Sequence, residues 1–171
     1  MPGKCVFAGP ALGSFASMDR HPALARLNVL LGHWVVQPKV EGLPAAWSDF
    51  TWYDGGTFLR QTSDMDPLPA DAPDTWRQGS PYPIVSLIGY DDTADEFTML
   101  YADGRGVHRV YRMTLSDREW IIWRDAPGFN QRFIGTVSAE GDRVDGRWEM
   151  SPDGVTWKVD FEITYTRKGD A

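Results

Sequence analysis

Arginine and glutamine side chains that alternate with large apolar residues are the groups in this sequence best suited to bind or act on a small molecule. An arginine guanidinium can hold a carboxylate through two parallel hydrogen bonds. Aromatic side chains on the same faces would supply the apolar wall that most ligand sites have. The predicted ligand-binding residues are Trp52, Phe58, Arg60, Arg109, Tyr111, Trp120, Arg124, Gln131 and Phe133.

An arginine that points into a protein needs a partner, because an unpaired interior charge costs several kcal/mol. One interpretation pairs an inward arginine with Asp49 or Asp64. The other gives one or two arginines the carboxylate, phenolate or enolate of an otherwise apolar ligand. The sequence leaves both interpretations open.

The segment "GVHRVYRMT" holds the candidate catalytic residues, Arg109 and Tyr111. In a strand, the alternate set that contains these two residues has more apolar bulk than the set that contains His108, so we expect them to face inward. Both side chains are donors that could stabilise a developing oxyanion. A cyclase, isomerase or decarboxylase acting on a natural-product-like substrate could use them without a cofactor. Tyr53 and Tyr101 are candidate acids for such a reaction.

Motifs for metal binding or nucleophilic catalysis are not found in this sequence. The three histidines are well separated and the single cysteine is Cys5, so the usual zinc ligands are not grouped. There is no glycine-rich phosphate loop and no serine nucleophile motif. We expect His21 and His33 on the surface, keep His108 as a minor candidate, and predict no metal or cofactor.

Composition and charge exclude several classes of partner. The 171 residues carry 24 acidic and 17 basic side chains, a net charge of −7 that repels nucleic acids and anionic membranes. No apolar run approaches the ~18 residues of a membrane span, and one cysteine allows no internal disulfide. We predict a cytoplasmic monomer or homodimer with a small-molecule ligand, no nucleic acid and no membrane partner. Residues 1–18 are expected to be a flexible N-terminal tail and residues 19–171 a single domain.

Apolar periodicity predicts one helix, followed only by strands. In "DRHPALARLNVLLG" four leucines fall on one helical face, Asp19 suits the N-cap, and Gly32 suits the end of the helix. Apolar alternation and turn residues then predict about ten strands. One strand follows Gly32, and the others cover residues 45–54, 57–65, 82–91, 96–103, 107–115, 118–125, 129–139, 142–150 and 155–167.

Strands joined by short connections predict an all-β fold that closes into an antiparallel barrel, because no helix is available to cover an open sheet. In the last strand, apolar residues from Trp157 to Tyr165 alternate with polar ones. A ten-stranded barrel is wider than its side chains can fill, so we predict an internal cavity. The connection at residues 66–81 is expected either to cover the barrel mouth or to be disordered.

The spacing Gly32-x-Trp34, just after the helix, resembles the opening motif of the calycin superfamily, which includes lipocalins and fatty-acid-binding proteins. Those barrels tend to carry a basic residue near the end of the last strand that packs across the tryptophan. Arg167 in "TYTRKG" stands at the matching position. The resemblance implies a calycin-like barrel in which the short helix caps one end and Trp34 and Arg167 close its base. His33 then points to the surface.

The stretches "WYDGGTFLRQ", "IGYD" and "GRWEMSPDGVTWKVDFEITYTR" are similar to small bacterial proteins of the domain-of-unknown-function 1579 type. Haem binding, as in nitrobindin-like barrels, is less favoured. Their Gly-Thr-Trp-Arg-Gly opening is replaced here by Gly-His-Trp-Val-Val, and no histidine follows His108. We therefore predict a barrel that binds a small, largely apolar or aromatic ligand with an anionic or polar end, and keep the cofactor-independent enzyme as the alternative.

Overall fold

The computed structural model of the protein describes residues 20–169, apart from the side chain of residue 54. The predicted tail at residues 1–18, with Cys5, and the predicted N-cap Asp19 lie outside the described residues. The domain boundary between residues 18 and 19 therefore stays a prediction.

Within residues 20–169, ten antiparallel strands close into one barrel in chain order, with the last strand paired to the first. This confirms the predicted all-β class and strand number, and the architecture is consistent with a calycin-like fold. The strands are β1 (Gly32–Pro38), β2 (Ala46–Tyr53), β3 (Phe58–Met65), β4 (Ile84–Asp91), β5 (Glu96–Asp103), β6 (His108–Ser116), β7 (Glu119–Arg124), β8 (Asn130–Val137), β9 (Arg143–Ser151) and β10 (Lys158–Arg167).

The helix before β1 is a 3-10 helix, Pro22–Leu30, rather than the expected α-helix. Three residues per turn place every third side chain on one line, and this line carries the three buried leucines. Leu31, which an α-helix would bring to the same face, is only half-buried. The His21 Nδ1 atom accepts a hydrogen bond from the Ala23 N–H and caps the first turn. The buried leucines are Leu24, Leu27 and Leu30.

Trp34 and Arg167 close the base of the barrel, as the resemblance implied. The two residues are register partners on β1 and β10, and the guanidinium carbon lies 4.2 Å from the centre of the indole ring. The Trp34 Nε1–H donates to the Leu30 carbonyl at 2.7 Å, which ties the 3-10 helix to the first strand.

Gly32 is required at this junction because its φ is +108°, a conformation that L-residues rarely adopt. A Cβ atom here would also lie 3.0 Å from the Arg167 Nη1 atom. His33 follows on the outer surface, where its Nδ1 atom lies 2.6 Å from the Asp49 carboxylate. The predicted surface position of His33 is confirmed.

A β-bulge interrupts the last strand. Val159 pairs with Glu149 and Phe161 with the next residue, Trp148, so Asp160 is the extra residue. The predicted apolar face is confirmed at the base half of β10, but it is wrong at Val159, which is exposed. The bulge shifts the alternation by one residue, and no side-chain pattern in the sequence marks it.

The connections divide between two ends of the barrel. Those at the base are short and include the 3-10 turn Asp54–Gly56. The longest connection lies at the other end, the mouth, and contains the short helix α1 (Asp74–Gly79). None of the helices in the described chain is long and apolar enough to cross a membrane. The mouth connections span residues 39–45, 66–83, 104–107, 125–129 and 152–157.

Candidate ligand-binding site

A cavity of about 440 Å³ lies inside the mouth half of the barrel, which confirms the predicted internal cavity. This volume falls within the range of small-molecule sites. Nine aromatic residues from five strands and from two of the connections at the mouth line this cavity. They are Trp76, Tyr82, Tyr101, Tyr111, Trp120, Phe129, Trp148, Phe161 and Tyr165.

Two donors converge on one oxygen in the upper part of this cavity. The Arg109 Nη1 and the Tyr111 hydroxyl each donate to the Gln131 Oε1 atom at 2.8 Å. Arg109 and Tyr111 are alternate residues of β6, so they share its inward face, as predicted from the alternation. His108 is exposed on the outer face, which confirms the other half of that prediction.

Arg109 is half-buried and has no carboxylate within ion-pair distance in residues 20–169. Its guanidinium lies 5.0 Å from the centre of the Phe129 ring. The predicted acid partners are engaged elsewhere: Asp49 pairs with His33, and an oxygen of Asp64 accepts from the Met65 N–H at 2.9 Å. The interpretation that pairs Arg109 with one of these two acids is therefore wrong.

Arg124 adds a second positive charge that acts on Tyr111. It lies opposite Gln131 in the β7–β8 register, is half-buried, and also forms no ion pair within the described chain. Burial raises the pKa of the Tyr111 hydroxyl, and the charges of Arg109 and Arg124 oppose that rise. Tyr111 stays protonated at neutral pH and acts as a hydrogen-bond donor.

Two further charged residues of the lining have different surroundings. Arg105 is neutralised by Asp103, whose carboxylate it binds through Nη2 at 2.5 Å. Asp160, the bulge residue, borders the cavity, and burial raises the pKa of its carboxyl. Of the two arginines that line the cavity, Arg109 is thus the one without a carboxylate beside it in the described residues.

The Asp103 carboxylate is fully buried and is held by several donors. Tyr101 donates its hydroxyl at 2.9 Å, and the Arg105 and Val107 backbone N–H groups donate at 3.0 and 3.3 Å. Burial alone would raise the pKa of Asp103, but the hydrogen bonds from Arg105, Tyr101 and the backbone outweigh it and lower the pKa to about 2. Burial of the Tyr101 hydroxyl and the hydrogen bond that it donates to Asp103 raise the pKa of Tyr101.

This lowered pKa predicts an acid-sensitive contribution to stability. A carboxyl whose pKa is lower in the folded state stabilises the fold above its unfolded pKa and loses this effect as pH falls through the folded value. Asp103 is therefore expected to contribute roughly 2 kcal/mol above about pH 4 and almost nothing below about pH 2. Asp103→Asn should lower the free energy of unfolding at pH 7 and flatten its fall between these pH values in urea titrations. The exposed Asp71→Asn variant is the control, and identical acid profiles for both variants would contradict the prediction.

The lower part of the cavity carries polar groups that the chain does not fully satisfy. The Ser48 and Ser63 hydroxyls are 2.5 Å apart, and the Gln61 Nε2 donates to Ser63 at 3.1 Å. Within the described residues, however, the buried Gln61 Oε1, Ser86 Oγ and Trp120 Nε1 atoms have no hydrogen-bond partner. Such groups are costly to bury, so each needs an explanation.

The connection at residues 66–83 lies over the mouth. The Trp76 ring of α1 packs edge-on against Phe161 at 5.6 Å, and Arg105 donates to the Gly79 carbonyl at 3.1 Å. Thr75, Trp76 and Gly79 all border the cavity. Of the two expectations for this segment, the covering position over the mouth is the one that the structure shows.

Four of the predicted ligand-binding residues line the cavity, and three others are buried or half-buried outside its lining. Phe133 is buried beneath Trp120 at a ring distance of 5.0 Å, and Arg124 shares the inner face at the rim. Trp52 lies toward the base, 5.1 Å from the Arg20 guanidinium. The four that line the cavity are Arg109, Tyr111, Trp120 and Gln131.

The placement of Phe58 and Arg60 in the cavity wall is wrong. Both are exposed on the outer face of β3, where Phe58 packs against Gly89 and Arg60 donates to Thr51 at 3.3 Å. The alternate set that contains Gln61 faces inward instead. Apolar bulk is a poor guide on this strand, because a cavity wall can carry small polar side chains. Tyr53, considered as an acid, is 49% exposed at the base, whereas Tyr101 does line the cavity.

Several residues of the site were missed in the sequence. The inward polar set of β3, Gln61 and Ser63, could have been found by testing both phases of "FLRQTSDM". Tyr82 and Trp148 also line the cavity, and no inward face was predicted for either residue from the sequence. Burial raises the pKa of the Tyr82 hydroxyl to about 12.

No group of histidine, cysteine, aspartate and glutamate side chains in residues 20–169 is arranged to hold a metal ion. Comparison with protein-family models and with curated proteins finds no match to this chain. A barrel with a buried aromatic cluster and an internal cavity is compatible with ligand binding, and the chemistry of the cavity wall is what indicates the kind of ligand.

Proposed function

We propose that the protein binds a small aromatic or largely apolar molecule that carries an anionic end, with the anion held by Arg109. The observation that carries this proposal is that Arg109 and Tyr111 both donate to the Gln131 Oε1 atom, while the Arg109 guanidinium has no acidic partner in the described residues. A ligand carboxylate oxygen could replace the neutral amide oxygen and supply the missing negative charge. Charge-assisted bonds of this type are roughly twice as strong as neutral ones.

The rest of the wall supports an aromatic body for this ligand. The Tyr101 and Tyr111 rings are 6.0 Å apart, and the Tyr111 and Trp148 rings 6.1 Å apart, both edge-on. All three rings border the cavity, and aromatic rings prefer edge and offset contacts, so an aromatic ligand suits this wall. The Arg124 charge at the rim adds to the attraction for an anion.

A cofactor-independent enzyme is the second candidate, and the same two donors favour it. Arg109 and protonated Tyr111 converge on one point, which is the arrangement needed to stabilise an oxyanion as it forms. A cyclase, isomerase or decarboxylase could use this point. Turnover that survives Tyr111→Phe and Arg109→Met together would exclude these two residues as the catalytic pair.

The first experiment is native mass spectrometry of freshly purified protein beside a denatured sample. We expect a co-purified mass that is lost on denaturation, and its value separates an aromatic acid from haem or a fatty acid. The native spectrum also tests the predicted monomer or homodimer.

For protein that carries no ligand, calorimetric titration compares the affinity for 2-naphthoate with the affinity for the neutral 2-naphthamide. We expect the anion to bind at least about tenfold more tightly, because one charge-assisted hydrogen bond is worth this much. Equal affinities would contradict an anionic ligand.

A further inference from the structure

A second polar region lies deeper in the cavity than Arg109. Arg109 and Gln131 are each the second residue of their strand from the mouth, whereas Gln61 and Trp120 are each the fifth. Three residues correspond to roughly 10 Å of strand. Phe50, the register partner of Gln61, packs edge-on against Trp120 at 6.1 Å, so the two residues belong to the same layer.

The polar side chains of this layer are buried and belong to residues that border the same cavity. Gln61 is 7% exposed and Trp120 is 1% exposed, and both border the cavity. The Gln61 Nε2 is used by Ser63, but its Oε1 is unpaired, and so is the Trp120 Nε1–H. Ser86, the neighbour of Gln61 on β4, leaves its own hydroxyl unpaired and so does not satisfy the amide.

We propose that the ligand has two polar ends: the anion held at Arg109 and a hydroxyl group at the far end of an aromatic body, bound by Gln61 and Trp120. This inference rests on the proposed function, because the anion sets the direction in which the ligand lies. A hydroxyl both donates and accepts, so it can donate to the Gln61 Oε1 and accept from the Trp120 Nε1–H. It suits the amide in either orientation of its oxygen and nitrogen. The ligand class is thus a hydroxylated aromatic acid.

A purely structural role does not account for these atoms. Buried polar side chains kept for stability are satisfied by the protein, and an unsatisfied one costs about 1–3 kcal/mol. Leucine or methionine would fill the position of Gln61 in a purely apolar barrel without that cost. The amide instead discriminates among ligands, because a site built to bind a hydroxyl rejects analogues that lack it.

The test uses three pairs of aromatic acids that differ only in a distal hydroxyl and in length. They are benzoate with 4-hydroxybenzoate, 2-naphthoate with 6-hydroxy-2-naphthoate, and biphenyl-4-carboxylate with 4′-hydroxybiphenyl-4-carboxylate. Calorimetric titration measures the gain in affinity from the hydroxyl in each pair. We expect a gain of about tenfold or more in the pair whose length fits, since hydrogen bonds to buried groups have this value. Gln61→Met should abolish the gain and leave the parent acid bound.

The control is Gln37→Met, the same substitution at an exposed glutamine of β1, which should keep the full gain. If circular dichroism shows that Gln61→Met does not fold, Trp120→Phe makes the same test by removing the indole N–H. The inference is overturned if no hydroxylated acid binds more tightly than its parent acid, or if the gain in affinity from the hydroxyl survives in the folded Gln61→Met or Trp120→Phe variant. Parent acids whose affinity does not depend on Arg109 would instead overturn the proposed function, whatever the hydroxyl does. Failure of all six acids to bind would overturn both.

Discussion

Arg109→Met is expected to weaken the binding of 2-naphthoate about 30-fold, because it removes a charge-assisted hydrogen bond worth roughly 1.5–3 kcal/mol. Methionine keeps most of the length and apolar stem of arginine, so the cavity should keep its shape. The variant also leaves the Tyr111–Gln131 hydrogen bond in place, since that bond does not involve the guanidinium. Calorimetric titration of folded variant and parent protein measures the change.

The matched control is Arg60→Met, which removes an arginine from the outer face of the same barrel. The sequence predicts Arg60 in the cavity wall, but the residue lies outside the cavity. The affinity of the Arg60→Met variant for 2-naphthoate should therefore remain within about twofold of that of the parent protein. A similar loss in both variants would mean that the change in the net charge of the protein, rather than the loss of the site at Arg109, weakens the binding of the anion. No loss in either would remove Arg109 from the binding site.

Arg167→Met is expected to lower the free energy of unfolding by about 3 kcal/mol, the largest stability effect that we predict for a single side chain. The guanidinium donates to the carbonyls of Leu31, Val29 and Gly141, the last two at 2.6 and 2.9 Å, and covers the Trp34 ring. Its loss leaves several backbone acceptors at the base without a donor. Urea unfolding followed by tryptophan fluorescence gives the change in free energy.

Arg143→Met provides the comparison, since Arg143 lies at the same end of the barrel and forms an exposed ion pair with Asp145. Exposed pairs of this kind contribute about 0–1 kcal/mol. If Arg167→Met destabilises the protein no more than Arg143→Met does, the base is not held by Arg167. In that case the packing of Trp34 under the 3-10 helix would carry the closure alone.

The strands and their closure could be predicted because the pattern that determines them is local. Apolar alternation places β10 almost to the residue at its C-terminal end, and glycine or aspartate turns separate the neighbouring strands. Closure then follows because a meander of ten strands has two edges and no helix to cover them. The pairing of Trp34 with Arg167 required the family resemblance as well as the pattern.

The face of each strand was harder to predict where the barrel encloses empty space. On β6 the apolar bulk of Tyr111 and Met113 identified the inner face. On β3 the inner face carries Gln61 and Ser63, and the large Phe58 lies outside, so bulk pointed the wrong way. The bulge at Asp160 depends on how two long strands twist together, which no short stretch of sequence encodes.

The sealed base gives ligand passage a direction. Trp34, Arg167 and the 3-10 helix close one end, and the other lies under α1, where Trp76 contacts Phe161. A ligand bound as we propose, with its hydroxyl at Gln61 and its anion at Arg109, would therefore enter with the hydroxyl end leading and leave with the charged end leading. Its charged end is the first part to escape on dissociation, so the residence time should depend on how often the segment at residues 66–83 moves aside.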